Sequence, residues 1–319
     1  MHNIGLEFVE KGKLAFRELG DPPDLGPTDI LFETVYSGIT NGTERHAFLA
    51  EYNYGGAVFP SQHGYQQVGK VLAVGEAVTQ FEPGDWVFCG NYVGHNGWSI
   101  APENSLLLKL PPDMDHKYCA LFGVTAVALR SVRRMGVRAG DNVWVAGQGP
   151  IGHFVAQSAR AVGARVTVTD MLDARLEAAQ KCGAHLALNA ADKQTYPRLQ
   201  ENGPYNFIYD CCSAKNLLFD IFEHKLLAYR GTVGLMAVRD TVTYPWSLLH
   251  TIESRIEVAC HFDRDDLRVL LFLYQQGLIQ IEPMVSHVAS IEKATEIYDM
   301  LAYRGDEMLG TIFDWAKKA

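Results

Sequence analysis

The chain has no C-x-x-C pair among its six cysteines, Cys89, Cys119, Cys182, Cys211, Cys212 and Cys260. Cysteines scattered this way point to reduced thiols and away from a disulfide framework; each reads first as a small buried apolar residue. No apolar run approaches the ~20 residues of a membrane-spanning helix. The start, "MHNIGLEFVEKGKLAF", lacks the basic flank and apolar core of a signal peptide. A cytoplasmic location with no membrane partner is therefore expected. Basic charge is in deficit: 28 Lys and Arg face 37 Asp and Glu, a formal net charge of −9. That balance argues against nucleic acid as a main partner. Internal repeats and low-complexity stretches are also missing. What remains is an ordinary soluble composition, 48% hydrophobic and 20% charged, in 319 residues, enough for two sizeable cores.

Three zones follow one another. Up to about residue 112, short β-branched runs such as "DILFETVYSG", "KVLAVG", "DWVFCGNYVG" and "SLLLKLP" alternate with Gly/Pro turns, "FEPGDWVF" among them. This pattern predicts a compact, mostly β unit. From 113 to about 265, strand-like runs alternate with helical ones: "NVWVAG", then a helix from Ile151 to about Val162; "RVTVTD", then "LDARLEAAQKCG", closed by Gly183. "HLALN", "NFIYDCC", "GTVGLMAV" and "IEVACHF" continue the series, implying βαβ units and a parallel sheet. The tail mixes a helix closed by Gly277, the β-like "IEPMVSHVAS", a second helix and a last strand, "LGTIFDW".

The strongest motif is "VWVAGQGPIGHFVAQSARAVGARVTVTD", with Gly147-x-Gly149-x-x-Gly152 directly after an apolar strand and opening a helix. An acid, Asp170, ends the next strand, 23 positions after Gly147. Strand, glycines, helix and acid together form the dinucleotide-binding context. Gly147 permits the tight turn, Gly149 the approach of the pyrophosphate and Gly152 close packing of helix on strand. The turn Gly147, Gln148, Gly149, Pro150, Ile151 and Gly152 then offers helix N-terminal N–H groups to phosphate. Asp170 is expected on the adenosine ribose, where a carboxylate repels a 2′-phosphate, so NAD is favoured over NADP; Arg175 nearby weighs weakly the other way. Asp210 and Cys211, and Gly234, Leu235 and Met236, fall at the carboxyl ends of later strands, the edge where such sheets bind ligands. Burial as ordinary strand ends is the alternative for them.

This layout resembles the medium-chain dehydrogenase/reductase superfamily, in its alcohol dehydrogenase-like group. The resemblance rests on "SGITNGTE" (37–44), "GYQQVGKVLAVG" (64–75), "FEPGDWVF" (81–88), "ALFGVTAVALRSV" (120–132), "VAGQGPIG" (145–152) and the tail. It implies an α/β fold: a doubly wound Rossmann sheet over 122–265, and a β-rich, GroES-like catalytic domain made of 1–121 and 266–319. It also implies a homodimer or homotetramer, pairing near "VACHF", and a small-molecule substrate. Zinc members carry ligands at positions that here are Thr40, Tyr65 with Gln66, and Leu121; the cysteine-rich lobe for structural zinc is missing. Zinc takes thiolate, imidazole or carboxylate, so no zinc is expected, and the wording resembles the zinc-lacking bacteriochlorophyllide, cyclitol and sugar dehydrogenase-like branch.

Without metal, hydrogen-bond donors must stabilise the oxyanion while the cofactor moves hydride. Thr40 and Tyr65 are the catalytic candidates by position, with His63 and His95 (and His46) available to share a proton. Tyr65 has an equally good alternative as an aromatic filling the vacated metal space. Thr40 has one as a local backbone cap. Asn41, Glu44, His46 and Asn91 are the candidates for binding substrate hydroxyls. The function expected is a zinc-independent, NAD-dependent oxidoreductase for a secondary alcohol or ketone of a sugar, cyclitol or related ring. Three alternatives stand beside it: a quinone or enone reductase, an enzyme with a displaced zinc site built from Glu44, His46, His63, Cys89 and His95, and a non-catalytic NAD-binding sensor.

Overall fold

The computed structural model describes residues 2–51 and 58–317. Along the chain run β1 (Ile4–Glu10), β2 (Lys13–Glu18), β3 (Asp29–Gly38), α1 (Asn41–Leu49), β4 (Gln67–Val74), β5 (Trp86–Cys89), β6 (Trp98–Pro102) and β7 (Leu107–Leu110). Then come α2 (Phe122–Met135), β8 (Asn142–Ala146), α3 (Pro150–Ala161), β9 (Arg165–Asp170), α4 (Asp173–Lys181), β10 (Leu186–Asn189), α5 (Thr195–Asn202), β11 (Tyr205–Asp210), α6 (Leu217–Glu223), β12 (Leu227–Leu235), α7 (Trp246–His250) and β13 (Arg255–Val258). The tail holds α8 (Arg264–Gln275), β14 (Val285–Ser290), α9 (Ala294–Tyr303) and β15 (Gly310–Asp314). Two compact units divide these elements: Met1–Gly123, Asp263–Arg268 and Met284–Ala319 form one, Val124–Phe262 and Val269–Pro283 the other.

In the first unit the sheet order is β14-β15-β3-β4-β5-β7, with β6 also on β3. β3 turns Ile30, Phe32 and Thr34 inward by strand alternation, and Val71, Val87 and Cys89 meet the apolar pair from the next strands. The chain's last strand pairs antiparallel with β3, Phe313 opposite Ser37 and Ile312 opposite Gly38. That pairing brings residues from opposite ends of the sequence together beside α1. A second core there holds Phe8, Phe48, Tyr298, Phe313 and Trp315, all 2% exposed or less.

The second unit is a six-stranded parallel sheet in the order β10-β9-β8-β11-β12-β13. This is the doubly wound order, and it reverses between β8 and β11. Strands covered on both faces read as continuous apolar runs; Val143, Trp144, Val145 and Ala146 of β8 are all buried. The helix expected from Ile151 to about Val162 spans Pro150–Ala161, and α4 ends with Gly183 at φ +94° accepting the left-handed turn. Two runs are shorter than the sequence suggested. β5 stops at Cys89, because Gly90 and Asn91 turn their backbone and side chain to Leu106 and Ser105. β13 stops at Val258, and His261 beyond it has φ +54°. Among the described residues no helix is long and apolar enough to cross a membrane.

Candidate active site

The turn between β8 and α3 lies where the strand order reverses. Gly147 has φ +93°, and a Cβ there would lie 2.8 Å from that of Cys212, just past β11. At Gly152 a Cβ would fall 1.8 Å from the Gly147 carbonyl oxygen, so only glycine lets α3 start against the turn. A Cβ on Gly149 would meet nothing within 4 Å, so this stretch of backbone faces open space. Pro150 occupies the first turn, where its missing N–H costs nothing. The next N–H groups, at Ile151 and Gly152, precede the first helical carbonyl partner and point outward with the positive end of the helix dipole. This arrangement fits a pyrophosphate. Gln148 plays a backbone part: its N–H donates to Asp170 Oδ2 at 2.6 Å, while its buried amide donates to the Gly147 carbonyl. Asp170 Oδ1 accepts from Leu172 N–H (3.0 Å), and Arg175 Nη1 stands 3.9 Å from Oδ2. The acid thus ties the turn to the end of β9.

The other expected dinucleotide-edge residues are held as follows. Asp210 is fully buried; its Oδ1 accepts from Cys212 and Ser213 N–H and its Oδ2 from Arg239 Nη1 at 2.7 Å. Cys211 follows it, with burial pushing its thiol well above the ordinary range. Gly234 and Leu235 close β12, opposite Tyr209 and Asp210, and Met236 donates its N–H to the Asp210 carbonyl. Arg239, four residues past this strand end, escaped the sequence reading; the edge rule applied three residues beyond Met236 would have found it.

In the first unit, Thr40 caps α1 and is 5% exposed. Its hydroxyl accepts from Gln66 Nε2 at 3.2 Å, which leaves the hydroxyl proton to donate elsewhere. Tyr65 is also 5% exposed, and it packs so closely on Gly123 that a Cβ there would lie 2.9 Å from its ring. Asn41 donates to the Leu309 carbonyl (2.8 Å), while its buried Oδ1 has no partner. An orphaned buried acceptor of this kind suits a hydroxyl or amide donor from a ligand.

Glu44, His95 and Asn91 take a different part from the one expected. Glu44 and His95 are each 1% exposed. Glu44 Oε1 accepts from the Thr40 N–H at 2.7 Å, and Oε2 accepts from His95 Nε2 at 3.0 Å and from the Tyr298 hydroxyl. Burial opposes its ionisation. The His95 ring, with hydrogen bonds from His95, Thr40 and Tyr298, outweighs burial and holds the carboxyl below its ordinary range. His95 Nδ1 meets Ser37 Oγ at 2.8 Å, and that oxygen also accepts from Trp315 Nε1 at 3.0 Å. Ser37, His95 and Glu44 thus align like a nucleophilic triad, but Ser37 is fully buried and its oxygen is shared with Trp315 Nε1. The cluster is a buried hydrogen-bond network that fixes the start of α1. Asn91 donates its amide to Ser105 Oγ and accepts from Leu106 N–H, which anchors its loop. His46 pairs with Glu51 at 2.8 Å, a quarter exposed. His63 stacks on Phe8 and meets Ser61 Oγ at 2.9 Å, its pKa lowered by burial against the opposing charge of Glu44.

Residues 150–274 match the zinc-binding dehydrogenase family. Over 95% of its length the chain is 25% identical to an L-threonine 3-dehydrogenase of Saccharopolyspora erythraea, covering 96% of that protein. It is also 25% identical to the 2-desacetyl-2-hydroxyethyl bacteriochlorophyllide A dehydrogenase of Rhodobacter capsulatus, across 92% of each chain. A solved structure of an alcohol dehydrogenase from E. coli CFT073, complexed with NADH, superposes with a TM-score of 0.84 at 18% identity, covering 98% of this chain and 99% of that one.

The residues at the zinc-ligand positions do not fit zinc. Thr40 and Gln66 bond to each other, Tyr65 is a packed phenol and Leu121 is 1% exposed. None supplies thiolate, imidazole or carboxylate. Among the described residues no three His, Cys, Asp or Glu side chains gather as a metal set. Of the displaced set weighed from sequence, Cys89 is buried in β5 with its thiol pushed up to about 12 by burial, Glu44 and His95 are spent on each other, and His46 is spent on Glu51. The fold, the dinucleotide turn and relatives spanning more than nine-tenths of the sequence agree: over nearly its whole length the chain is similar to dehydrogenases of the alcohol dehydrogenase-like kind.

Proposed function

We propose that the protein is a zinc-independent, NAD(H)-dependent oxidoreductase acting on a secondary alcohol or ketone of a polyhydroxylated substrate, such as a sugar, cyclitol or related ring. The observation that carries this reading is the Thr40–Gln66 hydrogen bond beside Tyr65 and Leu121, at the positions where zinc members place their ligands. The carboxylate of Asp170 at the end of β9, which disfavours a 2′-phosphate, supports NAD.

A bound nicotinamide supplies the hydride acceptor or donor. Gly147 to Gly152 would hold its pyrophosphate on backbone N–H groups, and Asp170 would accept from the ribose hydroxyls. The Thr40 hydroxyl, its lone pair engaged by Gln66, donates to the substrate oxygen as negative charge develops there. Tyr65 gives its proton to the same oxygen in reduction, leaving a phenolate that solvent reprotonates; in oxidation the phenolate form takes the alcohol proton and passes it to solvent. Asn41 Oδ1 accepts from a neighbouring substrate hydroxyl.

The test is to incubate purified protein, with chelator present, with NAD or NADP and a panel of polyols, sugars and cyclic alcohols, following reduced cofactor by absorbance. Reduction by at least one secondary alcohol, faster with NAD, is the expected outcome. Tight NAD binding without turnover of any alcohol, ketone or enone would make the protein a sensor. Turnover of enones alone would make it a reductase.

A further inference from the structure

Glu44, His95 and Asn91 bond within the first unit, which leaves Thr40 and Asn41 as its polar contacts for the substrate. An aromatic pair remains as well. Tyr92 lies between β5 and β6 and is 69% exposed. Its loop is tied on both sides. Gly90 N–H donates to the Leu106 carbonyl and Asn91 to Ser105; Gly94 N–H donates to the Gly64 carbonyl and the Asn96 amide to the Val93 carbonyl. The Tyr92 ring stands 5.0 Å from that of Tyr65, tilted by 55°. Tyr65 packs beside Gly123, where an added Cβ would lie 2.9 Å from its ring. The pair is therefore an angled aromatic wall, one ring buried at the former metal-ligand position and one exposed on a pinned loop.

Such a wall recognises a flat or puckered ring. The C–H groups along one face of a cyclic alcohol carry partial positive charge and meet the electron-rich ring face, while its hydroxyls project outward. An open-chain polyol presents no continuous C–H face. A tyrosine on a rigid loop gives this contact at low entropic cost, having only two side-chain torsions to fix. We propose that Tyr92, together with Tyr65, determines specificity by packing on the ring face of the substrate, so that cyclic secondary alcohols or ketones are preferred over open-chain ones. This rests on the oxidoreductase reading above and narrows its substrate class.

The test compares wild type, Tyr92→Ala and Tyr92→Phe with NAD on myo-inositol and cyclohexane-1,2-diol against sorbitol and butane-2,3-diol. Calorimetric binding of the same four compounds to the NADH-loaded protein gives a readout independent of turnover. The expected result is that Tyr92→Ala weakens ring-compound binding and kcat/KM roughly tenfold, chiefly through KM, with open-chain compounds changed less than about twofold. Tyr92→Phe should keep the preference. Equal loss on both classes, no loss on either, or wild-type binding that does not favour the rings would overturn the proposal. Selective ring binding without turnover would instead overturn the oxidoreductase reading and leave the aromatic site standing.

Discussion

The β8–α3 turn and the cluster around Glu44 both hold polar groups in tight quarters, and they face opposite ways. In the turn, the backbone at Gly149 opens onto free space and the N–H groups of the helix start are unspent. Around Glu44, donors and acceptors from Ser37, Thr40, His95, Tyr298 and Trp315 consume one another inside a core. Polar residue types alone do not mark a site; what matters is whether their hydrogen-bonding capacity is already used. The turn should therefore answer to mutation through binding, and the cluster through stability.

The sharpest break is Gly152→Ala, which puts a methyl 1.8 Å from a backbone carbonyl. NAD affinity measured by fluorescence titration should fall more than about a thousandfold, a loss of ~4 kcal/mol. Next comes Glu44→Ala, which leaves His95 and the Tyr298 hydroxyl buried without their acceptor. Chemical denaturation should show a loss of about 4 kcal/mol, with NAD affinity of the folded protein unchanged. A stable Glu44→Ala protein would refute the structural role of the cluster.

A third effect comes from acid. Burial lowers the pKa of His153 on α3 from its ordinary 6.5 to about 4. Between those values the unfolded chain binds a proton that the folded chain refuses. Stability is therefore complete above pH 6.5 and falls as the pH drops towards 4, by up to about 3 kcal/mol. Glu44, held below its ordinary range, adds a loss only at lower pH still. His153→Gln should flatten denaturation midpoints across the upper window; an unchanged slope would contradict the assignment. The mildest probe is Gly149→Ala, whose methyl meets no protein atom. Thermal stability should stay the same while NAD binds about tenfold more weakly, because only the ligand feels the methyl.

The same contrast explains what the sequence allowed one to read. The turn is contiguous: glycines, strand, helix and acid fall within 24 residues from Gly147 to Asp170, each with a local reason to be there. The parallel sheet followed from the alternation of strands and helices, and its doubly wound arrangement from the family resemblance. The Glu44 cluster has no such local signature. Its Trp315–Ser37 bond spans 278 positions and its Tyr298–Glu44 bond 254, so burial of Glu44 and His95 depends on β15 pairing with β3. Taken from sequence, His95 looks like a proton-sharing partner and Glu44 like a ligand for substrate hydroxyls; placed in the core, they are its internal ties. Tyr92 was passed over for the converse reason: nothing in "CGNYVG" tells an exposed ring on an anchored loop from a buried one.

The central claim is that donors at Thr40 and Tyr65 stand in for zinc. The direct measurement is metal content by mass spectrometry on the purified protein, joined to its alcohol-dependent NAD reduction before and after exhaustive chelation. The account expects far less than one zinc per chain and turnover that chelation leaves intact. About one zinc per chain, with activity lost on chelation and restored by zinc, would contradict it.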